Sequence, residues 1–154
     1  MVDRRCILAP VHGTFPTSTS TSHPTFIIVD SGAAESILND KSTDLGPVNK
    51  PYTYEVAGGL TFTPQRLGCT RLLINTERSS SSSPLILDVS GSWSDHNGPI
   101  LLSVNHPALT DIHLKCQAPS ARIHGALVQL VKHRHVWGFW AAQTPPPPSL
   151  CSSL

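Results

Sequence analysis

The chain has 154 residues, 39% hydrophobic and 14% charged, with a formal net charge of +1. That length allows one domain with a modest core, while 14 prolines and many serines imply frequent turns. No segment approaches the roughly 18 consecutive apolar residues of a membrane span, and after Asp111 the basic residues Lys115, Arg122, Lys132 and Arg134 are too sparse to define a nucleic-acid site.

Residues 1–24 read as a flexible leader. Thr17-Ser18-Thr19-Ser20-Thr21-Ser22 is a polar low-complexity stretch. Met1 to Pro10 places two arginines before an apolar patch that Pro10 breaks too early for a signal peptide. Phe26-Ile27-Ile28-Val29 then suits a buried strand, and it stops on Asp30-Ser31-Gly32. Ser31 can hydrogen-bond to nearby backbone, and Gly32 is expected to permit a turn that a Cβ would forbid and a close approach by another backbone. Ala33-Ala34 and Ile37-Leu38 return the chain to the core, with room for a short helix after the loop. Gly46-Pro47 and Gly58-Gly59 are turn signals. Leu72-Leu73-Ile74 and Leu85-Ile86-Leu87 are strand candidates on either side of the Ser79 to Ser83 loop. Residues 126–131 fit a helix or a strand, and Pro145 to Pro148 should be extended or disordered. Residues 1–22 and 142–154 are expected to be poorly ordered.

Several stretches together resemble a known family. Residues 29–42, Val-Asp-Ser-Gly-Ala-Ala-Glu-Ser-Ile-Leu-Asn-Asp-Lys-Ser, look like the opening of the retropepsin-like aspartic protease in copia-type retrotransposon polyproteins. Tyr54 to Gly59 lies where that family carries a glycine-bearing flap hairpin, and Arg66 to Leu72 resembles the strand after it. Leu87-Asp88-Val89 and Ile100-Leu101-Leu102-Ser103-Val104 are similar to the closing pair. The likeness covers about residues 26–109. The chain departs from the family at Ser90 to Pro99, which is polar and turn-rich, and at Ser103-Val104-Asn105, where a glycine is common.

The resemblance implies an all-β fold, a small closed barrel of the retropepsin type, with residues 25–110 as the domain and 111–154 as a basic, proline-ended tail. It implies an aspartic endopeptidase that processes a polyprotein, needs no cofactor or metal, and works as a homodimer with one Asp per chain. Asp30, Ser31 and Gly32 would form the catalytic loop, while Ala33, Ala57, Gly58 and Gly59 would contact a peptide substrate. The scattered cysteines at 6, 69, 116 and 151 suit a reducing, intracellular and cytoplasmic setting. The rival reading is a catalytically inactive, transposon-derived remnant or interaction domain, which the altered closing segment favours.

Other chemistries fit less well. Leu87-Asp88-Val89-Ser90-Gly91 repeats the Asp30 pattern with one inserted residue, which flips the pleat, so Asp88 reads as an exposed strand-end carboxylate. Cys116, His124, His133 and His135 have no ordinary zinc spacing. No Gly-x-Ser-x-Gly, phosphate loop or dinucleotide glycine pattern occurs. Trp93, Trp137, Phe139 and Trp140 read as core or tail residues before an adhesive surface.

Overall fold

A computed structural model describes residues 23–49, 52–56, 59–76 and 83–151. The protein is all-β. The strands are β1 (Thr25–Asp30), β2 (Thr43–Pro47), β3 (Tyr54–Val56), β4 (Leu60–Phe62), β5 (Arg66–Ile74), β6 (Leu85–Ser92), β7 (Ile100–Ser103), β8 (Leu109–His113), β9 (Ser120–Ile123), β10 (Ala126–Gln129), β11 (Val131–His133) and β12 (Val136–Thr144), followed by the single turn α1 (Pro148–Cys151). Among the described residues no helix is long and apolar enough to cross a membrane.

Seven strands form the main sheet, in the order β2-β5-β12-β1-β7, with β6 on β5 and β11 on β12. β1 runs parallel to β7, pairing Ile27 with Ile100 and Asp30 with Ser103, and antiparallel to β12, pairing Ile28 with Gly138. β8, β9 and β10 make a second sheet, and β3 and β4 pair with each other as a hairpin. Ile27, Leu38, Leu72, Leu87, Ile100, Leu102 and Ile123 are fully enclosed in one core. Each such side chain contributes about 1.5–3 kcal/mol by leaving water.

Among the described residues no sheet closes into a barrel, which corrects the expected closed architecture. Among the described residues β6 and β7 share no ladder; the segment around Ile37 spans the space between them, Ile37 itself through bridges to Ser92 and Leu101. Its N–H donates to Leu101 O and its carbonyl accepts from Leu101 N, each at 2.9 Å. The free edge of β6 is further satisfied by His106, whose Nε2 lies 2.9 Å from Asp88 O while its Nδ1 accepts from Ala108 N at 3.0 Å. Because a ring nitrogen that accepts carries no proton, the Nε2–H tautomer is the one that fits both bonds. Gly91 permits the docking at the other end of that edge, since a Cβ there would overlap Ser36 O.

Several local expectations are also revised. The segment after Asp30 forms turns and the Ile37 bridge instead of a short helix, because its polar groups are drawn to β6 and β7. Gly46-Pro47 lies inside β2 at a register shift, where the Asp44 carboxylate accepts from Gly46 N at 2.9 Å. Ala126–Gln129 form β10 and Val131 opens β11, with Leu130 between them, and residues 142–144 continue β12 in the main sheet. The sheet therefore runs across the boundary drawn at residue 110. β9–β10 and β11–β12 are tight hairpins whose turns, His124-Gly125 and Arg134-His135, have positive φ at both central residues, as type I′ two-residue turns require.

The start of β1 is fastened by a polar cluster. Gln143 Oε1 accepts from Thr25 Oγ1 at 2.7 Å and from Asn39 Nδ2 at 2.9 Å, and its Nε2 donates to Asn39 Oδ1 at 3.1 Å and Thr70 Oγ1 at 3.0 Å. Thr25, Asn39 and Thr70 are all buried. Replacing Gln143 with Ala removes a partner from each of them, so stability should fall by about 2–3 kcal/mol. Urea denaturation checks this; an unchanged midpoint would mean that the cluster is redundant.

Candidate functional site

The chain leaves the core at Asp30, the last residue of β1, half-buried, while Ser31, Gly32 and Ala34 are exposed. The carboxylate is held locally: Asp30 Oδ1 accepts from Gly32 N at 2.8 Å, the side-chain-to-backbone turn expected of an Asp at such a corner. Its carbonyl accepts from Val104 N at 3.3 Å, which anchors the loop to the end of β7. Ala33, half-buried, offers its carbonyl to Ser103 Oγ at 2.6 Å, and Ser103 N donates to Ser36 Oγ at 3.0 Å. Ser103 Oγ also accepts from Asn105 N at 3.1 Å. Ser103 thus fastens the Ala33 side of the Asp30 loop to the end of β7, and Val104 N holds the Asp30 side.

Gly32 does not play the part expected from sequence. It is not among the glycines with positive φ, and an added Cβ would meet Asp30 Oδ1 at 3.5 Å, an ordinary van der Waals distance. Nothing within one chain demands a glycine there. Gly59 does have a positive φ, in the turn between β3 and β4. Ala57 and Gly58 lie outside the described residues.

Asp88 sits in the middle of β6, not at a strand end. Arg71, directly opposite on β5, grips it with both ends of the guanidinium, Nε to Oδ1 at 2.8 Å and Nη2 to Oδ2 at 3.0 Å. That bond holds the Arg71 guanidinium above its already high range. With both oxygens engaged by one guanidinium, the Asp88 carboxylate is poorly placed to face a second carboxylate. β5 and β12 also stand between β6 and β1 along the ladders. Asp30 and Asp88 are therefore not brought together as a pair by strand adjacency.

The other candidates are scattered. Among the described residues no three His, Cys, Asp or Glu side chains gather where a metal ion could be held, so Cys116, His124, His133 and His135 form no ligand set. Of the aromatics, Phe139 is buried and Trp93 donates its indole N–H to Ser42 O at 3.1 Å. Trp140 is exposed and stacks edge-on with Phe26 and His133. Sequence reasoning assigned no role to Glu35, Ser36, Ser103 and Tyr52; the first three lie inside the family-like stretches, but their partners are distant in sequence and are met only in the folded chain. Compared with known proteins, the chain matches no family model, no curated protein and no solved structure.

Proposed function

We propose that this chain is a retropepsin-like aspartic endopeptidase, of the kind that processes copia-type polyproteins, and that it acts as a homodimer. The observation that carries this reading is the placement of Asp30: a carboxylate at the exposed end of a core strand, its orientation set by Gly32 N and its loop pinned to β7 through Ser103. Peptide hydrolysis by carboxylates alone needs two of them sharing one proton. The ionised one takes a proton from the attacking water, and the protonated one donates to the carbonyl oxygen.

One chain supplies Asp30 while Asp88 is committed to Arg71, so the second carboxylate comes from a second copy across a two-fold axis. A glycine at position 32 that its own chain does not require fits a surface against which another backbone packs. Ser31 and Gly32 then brace the two carboxylates across the dimer, and the β3–β4 hairpin closes over an extended peptide. The Ile37 bridge, which links β6 and β7 without closing the sheet, is consistent with an all-β domain of the retropepsin type. The wide scatter of the four cysteines, at 6, 69, 116 and 151, suits a reducing, intracellular compartment.

The test is cleavage of a peptide library across protein concentration, with the mass in solution determined by sedimentation. Specific activity should rise through the range in which monomer gives way to dimer. Cleavage by a monomer would sink the shared dyad. A folded dimer that cuts nothing at any pH would leave the inactive remnant as the reading that stands.

A further inference from the structure

Glu35 lies five residues beyond Asp30, half-buried, and it joins two parts of the molecule that no ladder joins. Its Oε2 accepts from Ser92 Oγ at 2.7 Å, and Ser92 is fully buried at the end of β6. The Tyr52 hydroxyl lies 2.7 Å from both Glu35 oxygens. Tyr52 stands two residues before β3, and Thr53 Oγ1 meets Thr63 Oγ1 at 2.6 Å across the foot of the same hairpin. Among the described residues the hairpin strands pair in a ladder with each other and not with the main sheet, so side-chain contacts at the stem help to set its placement. A carboxylate suits this junction because it accepts from two hydroxyls at once and has no proton of its own to place.

We propose that Glu35 is a positioning residue that latches the β3–β4 hairpin to the Asp30 segment, through Tyr52, and so sets how closely the hairpin approaches a bound polypeptide. The anchor on the other side is rigid. Ser36 O accepts from Ser92 N at 3.1 Å and Ser36 Oγ from Ser103 N at 3.0 Å, so Glu35 is carried by backbone already fixed to β6 and β7. Movement at the latch therefore reaches the hairpin and not the Asp30 loop. The role in substrate binding rests on the protease reading; the latch itself does not.

Tyr52→Phe removes the hydroxyl while leaving the Glu35–Ser92 bond and the buried core intact. Amide hydrogen exchange at residues 54–62 should quicken by roughly tenfold, the ratio that one partly exposed, charge-assisted hydrogen bond sets. Exchange in β1, β5 and β12 should stay within about twofold, as expected of local opening. Unchanged exchange at 54–62 overturns the latch, whether or not the chain cleaves peptides. If the parent cleaves, the variant should show a KM raised several-fold with kcat changed less. Faster hairpin exchange with unaltered KM would overturn the positioning role while leaving the endopeptidase reading in place. A parent that cleaves nothing speaks against the endopeptidase alone, since the exchange result still decides the latch.

Discussion

Asp30→Asn is expected to reduce peptide cleavage by about 10²–10⁴-fold, the usual contribution of positioned acid–base groups, and in a homodimer both halves of the dyad are lost together. The substitution is chosen for what it keeps. An Asn side chain retains the oxygen that accepts from Gly32 N at 2.8 Å, so the turn at the end of β1 survives. Stability should accordingly change by no more than about 0.5 kcal/mol, as for surface substitutions that break no special feature. What is lost is ionisation, and with it the base that activates water and the proton shared between two like charges. Rates of parent and variant are best compared across a series of pH values. A variant that cuts as fast as the parent would reduce Asp30 to a turn residue.

Gly138→Ala should cause the largest loss of stability of any single methyl addition considered. Gly138 faces Ile28 on β1 and Val131 on β11, so β12 is paired on both sides at this point. A Cβ would overlap Ile27 O and come within 2.9 Å of Phe26 Cζ. Neither neighbour can give way cheaply: one is ladder backbone and the other a ring that is 3% exposed. Forcing a methyl into such packing costs about 3 kcal/mol, occasionally more, which for a chain of this size lowers Tm by roughly 6–12 °C. Calorimetry decides it. A Tm within a degree of the parent would show that β1 and β12 do not pack as closely as described. Because β1 carries Asp30, any cleavage activity should fall with the folded fraction rather than ahead of it.

Much of the strand content was legible from local pattern. Phe26 to Val29 is a short β-rich apolar run ending on a turn-forming Asp, and steric and solvation preferences of those side chains are enough to specify a buried strand and its exit. Leu72-Leu73-Ile74 and Leu85-Ile86-Leu87 were readable for the same reason. Where the pattern misled, a non-local partner had overridden it. Asp88 looked like a strand end because Ser90-Gly91 follows, yet Gly91 serves the close approach of Ser36, and β6 continues to Ser92. The proline-ended segment looked like a tail, yet residues 136–144 alternate inward Phe139 and Ala141 with outward Trp140 and supply a central strand.

The sequence by itself determined the all-β character, the position of Asp30 at the mouth of a strand, and a turn-linked hairpin around Gly59, because each depends on residues a few positions apart. Tertiary structure alone decided that the sheet stays open between β6 and β7, that Arg71 claims Asp88, and that Ser103 and Glu35 secure the surroundings of Asp30. Those outcomes depend on pairs separated by 17 to 70 positions. The chain encodes such pairs only through the packing that brings β1, β5, β6 and β7 together, and a hydroxyl or carboxylate carries no local sign of the partner it will meet.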